Sequence, residues 1–460
     1  MPIVVEPSTL SGRLTAPPSK SAMQRAVACA GLARGETLIT NPSYCDDALA
    51  ALRAAEALGY QVERGASGIF IENQIRPGRG DAEASLRDGA LGDIEPLCLD
   101  CGESALCMRM YASIAALSGR PAQLRAQGSL MHRSMAAVER SLRDAGVSCQ
   151  SDGGLPPLLV RGPLKGGRFS LDCGDSSQFL TGFLIALAAA EGDSELLVSQ
   201  LASGGYIDLT LGVMRRFGAS VERDDAFSRF VVRGRHGSAG YEGCRYEVEG
   251  DWSAASFLLV AGALASGKGT QGARAGAGAS TGVRIGGLDP ESAQPDRAVL
   301  AALESAGAPV SYDGGYHIAC PSGLRGFSFD AAGCPDLAPP LVALASRCEG
   351  TSRIAGVRRL RGKESDRAAA LAQEFSALGL PVIVEGDELV VRPEGGAAEP
   401  MAGGRADARG DHRIAMALSV AALGARAPVG IRGAACVAKS YPEFFRDMAA
   451  LGASLSGLPD

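Results

Sequence analysis

The feature that most constrains this chain is a period. One kind of segment recurs six times along the 460 residues: a small polar opener, an Ala/Leu-rich run of helical character, a glycine-containing turn and a β-type stretch. The openers are Ser19-Lys20-Ser21, Gly102-Glu103-Ser104, Asp175-Ser176-Ser177, Asp251-Trp252-Ser253, Pro335-Asp336 and Asp411-His412-Arg413. Measured at Lys20, Ser104, Ser176, Ser253, Asp336 and His412, the steps are 84, 72, 77, 83 and 76 residues. A second helix follows in each unit and ends on its own glycine: Gly59, Gly146, Gly218, Gly307, Gly379 and Gly452. Glycine just past a helix accepts the left-handed backbone that other residues resist. Units carrying two helices and several strands exclude a short-period solenoid. Six of them in 460 residues predict an α/β chain of two domains, three units each.

Composition narrows the function classes. Apolar residues make up 46% and charged residues 21%, and 45 Lys+Arg against 51 Asp+Glu leave a net charge of −6. That balance argues against a nucleic-acid coat or a polybasic membrane surface. The longest apolar stretch, around Phe179 to Ala190, is short of the roughly 20 residues a bilayer needs. The start, MPIVVEPSTLSGRL, has neither the basic nor the apolar region of a signal peptide. The expectation is a soluble, cytoplasmic protein with no nucleic-acid or membrane partner. Twelve cysteines include one CxxC, Cys98 and Cys101, but no second such pair, so buried reduced thiols are expected and no metal. The Gly/Ala-rich segment 266–287 reads as a loop insertion. Its near match to a P-loop, Gly262 to Gly269, lacks the hydroxyl residue after Lys268 and follows a helix instead of a strand.

The openers also carry the chemistry. Helix starts present free N–H groups that suit phosphate and carboxylate. Lys20 and Ser21 begin a helix on which Arg25 lies one turn on; Ser176, Ser177 and Gln178 open another. Lys363 and Arg367 are expected as i,i+4 neighbours with Glu364 beside them, Arg413 opens a helix, and Lys439 precedes the last one. Any one of these alone is usual capping or a solvated face. Their repetition across the units describes a cationic pocket in an acidic protein, suited to anionic, phosphorylated substrates.

The segments PPSKSAMQRAVACAGLARG, DSSQFLTGFLIALA, VEGDWSAASFLL, PDLAPPLVALASRCEGTSRI, RLRGKESDR, GDHRIAMALSVAAL and CVAKSYPEFF resemble, in order, the motifs of the EPSP synthase (3-phosphoshikimate 1-carboxyvinyltransferase) family. The resemblance runs from about Pro17 to Phe445. It implies two inside-out α/β barrel domains, each of three βαβαββ units, with the active site in the cleft between them. The family's chain crosses between domains after its first strand and returns halfway. That places one discontinuous domain at residues 1–19 and 247–460 and an inserted one at 20–246.

The implied reaction transfers the enolpyruvyl group of phosphoenolpyruvate to the 5-hydroxyl of shikimate-3-phosphate by addition and elimination. The resemblance gives shikimate-3-phosphate to Lys20, Ser21, Arg25, Ser176, Ser177, Gln178, Ser203, Tyr206, Asp336, Arg359 and Lys363. It gives phosphoenolpyruvate to Lys20, Ala105, Arg133, Gln178, Arg367, Arg413 and Lys439. Asp336, Glu364 and Lys20 are the implied catalytic groups, and sequence does not divide acid from base among them. No cofactor is implied, and a monomer is expected. Departures fall in substrate-facing loops. The usual N-[AS]-G-T reads Glu103-Ser104-Ala105-Leu106, the usual RPM reads Arg133-Ser134-Met135, an asparagine becomes Arg359, and Lys-Pro becomes Gly204-Gly205. Ala105 in place of glycine implies reduced sensitivity to glyphosate, the family's phosphoenolpyruvate-site inhibitor. The competing readings are a UDP-N-acetylglucosamine enolpyruvyl transferase, a non-catalytic binding paralogue that should have lost a lysine or carboxylate, and an RNA 3′-phosphate cyclase, disfavoured by the chain's acidity.

Overall fold

The computed structural model describes residues 2–73, 95–174, 176–201, 203–235, 240–265, 282–392 and 399–458. The chain forms two compact units, Lys20–Val248 and Met1–Ser19 with Glu249–Asp460. Among the described residues each holds three four-stranded sheets of one design, and the second unit adds a two-stranded pair. One repeat shows the plan. Strand Leu97–Asp100 leads through helix Ala105–Ala115 to a parallel strand, Ala122–Arg125. Helix Ala136–Asp144 then leads to the hairpin Ser148–Asp152 and Leu155–Arg161, whose second strand runs antiparallel to Ala122–Arg125.

The two helices of a repeat differ because their sequences do. Ala105–Ala115 is buried at every residue, whereas Ala136–Asp144 buries only Val138, Ser141 and Leu142. A helix apolar all round must be covered all round, and an amphipathic one needs a single partner face. In the unit Lys20–Val248 the buried helices Lys20–Leu32, Ala105–Ala115 and Gln178–Ala189 pack on one another. Gly182 allows the closest of these approaches: a Cβ there would stand 2.8 Å from the Met110 backbone. In the other unit Trp252–Ala265, Ala338–Ala345 and His412–Ala422 pack in the same way. The six openers stand at the starts of these six buried helices, and Asp175 lies outside the described residues. All six glycines that end the second helices have positive φ, between +79° and +106°.

The units exchange their opening strands. Gly12–Thr15 pairs parallel with Val283–Gly286, although the chain runs on from it into helix Lys20–Leu32. Arg245–Glu247 precedes helix Trp252–Ala265 yet pairs parallel with Glu36–Thr40. Two strands, not one, precede the first crossing, because Ile3–Val5 is also needed: it sits between Val429–Arg432 and Leu455–Ser456. The crossing segments are stitched by Ser19 N–H to the Glu249 carbonyl and Asp251 N–H to the Pro17 carbonyl, both 2.8 Å.

Three further expectations change. Of the segment 266–287 expected as loop, 266–281 lie outside the described residues, but Val283–Gly286 is a buried-alternating strand. Gly262, the first glycine of the P-loop near match, lies inside helix Trp252–Ala265. The cysteines are free thiols, eight of them buried, but Cys98 is exposed. Among the described residues no helix is long and apolar enough to cross a membrane.

Candidate active site

In the unit Lys20–Val248, Lys20 is the first residue of its helix, and its Nζ lies 3.1 Å from Asp47 Oδ2. Arg25 sits one turn on and is 2% exposed. Its Nε donates to Thr210 Oγ1 at 2.8 Å, one terminal nitrogen to the Ser21 carbonyl at 2.7 Å and the other to the Tyr206 carbonyl at 3.3 Å. Burial pulls its pKa down to about 10, only partly offset by Tyr206, Tyr246 and Cys29. Among the described residues no carboxylate forms an ion pair with it. A charge held by neutral oxygens away from water keeps its full appetite for an anion.

The same unit holds a second arginine that the sequence did not single out. Arg109 donates to Gln178 Oε1 (2.8 Å), Ser176 Oγ (3.5 Å) and the Ser134 carbonyl (3.0 Å). It thus ties together helix Ala105–Ala115, the start of helix Gln178–Ala189 and the residue after Arg133. Ser176 Oγ also accepts the Gln178 backbone N–H at 3.2 Å. Ser104, capping helix Ala105–Ala115 by accepting Cys107 N–H, donates to Gln24 Oε1 at 2.9 Å. Those bonds bring the starts of the three buried helices together. Ser177 and Ser203 stand just before their helices without capping them, and Ala105 is buried at the first position of its own.

The other unit gathers its charges around Asp336, in the 3₁₀ turn Pro335–Leu337. Arg367 lies 2.8 Å from Asp336 Oδ1, Lys363 3.5 Å from the same oxygen, and Arg413 3.1 Å from Oδ2. Arg367, 1% exposed, also holds Glu364 and Asp411, the latter at 2.7 Å. Arg413 donates further to Ser253 Oγ at 2.7 Å, and its backbone N–H goes to Asp411 Oδ1. Three cations and three carboxylates therefore interlock. Burial alone would raise the Asp336 pKa, but Arg413, Lys363 and Arg367 hold it well below the usual carboxylate range. Burial also works against the Arg367 charge, and Asp411, Glu364 and Asp336 more than restore it, raising its pKa.

One expected geometry is corrected. Lys363 and Glu364 are not on the helix with Arg367. Asp366 caps that helix, accepting Ala369 N–H at 3.1 Å, so the helix starts at Arg367 and Lys363 lies in the preceding turn. Lys363 and Arg367 meet at Asp336 and not as a helical i,i+4 pair. Arg359, in the 3₁₀ turn Val357–Leu360, donates to the Ala332 carbonyl at 3.3 Å, and Lys439, itself buried, ends the 3₁₀ turn Ala434–Lys439.

Sequence reasoning missed Arg109, Asp47 and the pairing role of Asp411. Asp411 was visible as an opener and looked like a cap, which it also is. The signal for Arg109 was there too: a lone cation inside the apolar run CMRMYASIAAL, which can be buried only if its five donors are used.

A family model described as EPSP synthase (3-phosphoshikimate 1-carboxyvinyltransferase) matches residues 4–448. A 3-phosphoshikimate 1-carboxyvinyltransferase from Aeropyrum pernix is 38% identical over 99% of this chain and 97% of its own. One from Halobacterium salinarum is 38% identical over 99% of this chain and its whole length. A solved EPSP synthase structure from Acinetobacter baumannii superposes with a TM-score of 0.76 at 25% identity, covering 99% of both chains.

Proposed function

The chain belongs to the EPSP synthase family, and from that premise we propose how its two charged clusters serve the reaction. It is an enolpyruvyl transferase, joining phosphoenolpyruvate to the 5-hydroxyl of shikimate-3-phosphate and releasing phosphate. Each substrate brings a carboxylate and a phosphate, the latter carrying about −1.5 to −2 charge. Ser21, Arg25, Ser176, Ser177, Gln178, Ser203 and Tyr206, with Lys20, Asp336, Arg359 and Lys363, hold shikimate-3-phosphate. Arg133, Arg367, Arg413, Lys439, Lys20 and Gln178 hold phosphoenolpyruvate, against Ala105. The enzyme works as a monomer in the cytoplasm.

In the addition step the 5-hydroxyl oxygen bonds to the substituted enol carbon as its proton leaves, while the methylene carbon takes up a proton. The product is a tetrahedral ketal phosphate. Loss of phosphate and of a methyl proton restores the double bond. Asp336 and Glu364 carry these protons with Lys20, exchanging acid and base roles between the half-reactions.

The observation that carries this reading is the loading of Asp336 by three cations. A carboxylate with so depressed a pKa is a poor base. Substrate anions compete for Arg367, Arg413 and Lys363, and each cation drawn away raises the Asp336 pKa toward a useful value. The base then gains strength as its substrates bind. Phosphate release from phosphoenolpyruvate, measured with and without shikimate-3-phosphate, tests the function. Release that needs shikimate-3-phosphate is expected; none with both present counts against it.

A further inference from the structure

We propose that Glu103 is a positioning residue for Arg133, clamping the turn that carries it. The Glu103 carboxylate accepts the Ser129 backbone N–H at 3.0 Å and the Ser129 hydroxyl at 2.6 Å. Ser129 lies in the 3₁₀ turn Gly128–His132, and Arg133 follows directly, its own N–H closing on the Leu130 carbonyl at 3.1 Å. A carboxylate holding two donors of one residue fixes that residue's position and orientation together.

The surroundings converge on the same turn. Gln127 N–H donates to the Gly102 carbonyl at 2.7 Å, and Gln127 Nε2 to Asp100 Oδ1 at 3.2 Å. Asp100 Oδ1 in turn accepts the Gly102 N–H at 2.9 Å. Gly128, with φ +51°, gives the carboxylate its room, because a Cβ there would overlap it. On the far side of Arg133, Arg109 holds the Ser134 carbonyl. The Arg133 backbone is thus gripped from both sides, by Glu103 just before helix Ala105–Ala115 and by Arg109 within it. A guanidinium has many rotamers, and fixing its backbone is the cheaper way to keep its fork in register with a bound anion.

The assignment rests on the phosphoenolpyruvate role proposed above for Arg133. Kinetics of phosphate release should compare Glu103→Ala, Ser129→Ala and Glu103→Gln, varying each substrate in turn. Glu103→Ala and Ser129→Ala should raise KM for phosphoenolpyruvate on the order of fivefold, leaving kcat and KM for shikimate-3-phosphate near wild type. Glu103→Gln should recover most of the loss, because its amide oxygen still accepts from Ser129. An unchanged KM in Glu103→Ala, an equal rise for both substrates, or Gln behaving like Ala overturns the proposal. Hydrogen exchange reads the clamp independently of turnover. Residues 128–134 should lose protection in Glu103→Ala at unchanged Tm, and retained protection overturns the clamp whether or not the wild type proves active. A wild type that releases no phosphate sinks instead the functional premise.

Discussion

Arg25 and Arg367 are both buried arginines, one in each unit, Arg25 a turn into its helix and Arg367 first in its own, and their surroundings push them in opposite directions. Around Arg25 are a hydroxyl and two backbone carbonyls, and burial lowers its pKa to about 10. Around Arg367 are three carboxylates, and its pKa is raised. The first charge is a cost carried by the unliganded fold and relieved by an anion. The second is part of a neutral lattice that an anion must partly dismantle. In the mechanism proposed above, one unit supplies affinity and the other reactivity, because dismantling the lattice would free Asp336. Arginine is the residue that can fill both roles, since it stays charged at either extreme.

The largest effects should come from the carboxylates of the lattice. Asp336→Ala and Glu364→Gln should each cut turnover by about 10²–10⁴, the usual worth of a positioned proton-transfer group. Ser177→Ala, on the gripping side, should act mainly through KM for shikimate-3-phosphate. Steady-state kinetics of the three variants decide whether the division of labour is real. Near-normal turnover in both carboxylate variants would break it.

Stability draws the contrast from another side. Arg367→Met strands Asp411 and Glu364 in the interior and should cost about 3–5 kcal/mol, the penalty for breaking a buried ion pair. Arg25→Met removes a buried charge that has no ionic partner among the described residues and should change stability by about 1 kcal/mol or less. Both should lose activity. Urea unfolding with equal m-values would show the difference. Equal losses would mean that Arg25 has compensation the neutral oxygens do not explain.

The acid limb is a finer probe. Asp336 has a folded pKa below its unfolded one, so its ionised form stabilises the fold at pH above the ordinary carboxylate range. That contribution is lost as pH falls through the folded value. Asp336→Asn should therefore flatten the fall of Tm between about pH 5 and 2. Arg25 has the opposite sign: its burial cost is present at every pH below about 10 and relieved only above it. Its removal should leave the acid limb unchanged. A Tm profile for Asp336→Asn that overlays the wild type would show that the lattice does not control acid stability.

Most of the frame was legible because period and helix punctuation are local. Six openers and six terminal glycines mark the repeats without any knowledge of how strands pair. The exchanged opening strands were not legible from the repeat, since nothing in GRLT or RYE says which sheet takes them. The clusters were half legible. Residues at helix starts announce themselves by type and position, so Lys20, Ser176, Arg367 and Arg413 could be named, and with Lys20 the arginine one turn on, Arg25. Arg109 is mid-helix and its partners are 25 to 69 residues away. The convergence of Lys363 and Arg367 on Asp336 also needed the fold, because a 3.6-residue period suggested a helical neighbour pair where Asp366 instead caps a helix that starts at Arg367.

The smallest expected effect lies at Ala105, on the gripping side, and it tests whether that side discriminates by shape as well as by charge. Glyphosate is slightly longer than phosphoenolpyruvate, and a methyl at position 105 takes room that glycine leaves open. Ala105 is 5% exposed at the first position of its helix, where Ser104 caps the turn and bonds Gln24. The methyl is therefore held by its neighbours and has little freedom to yield. Overpacking by one methyl costs about 1–3 kcal/mol in a tight site, and about 1.4 kcal/mol is tenfold in affinity. Ala105→Gly should lower the glyphosate inhibition constant by up to about tenfold while KM for phosphoenolpyruvate changes less. Removing the methyl also weakens a helix terminus, by about 1 kcal/mol at most. A drop in Tm with no change in inhibition would thus assign Ala105 to the helix alone. If both constants move together, the site is reading charge, and the shape argument fails.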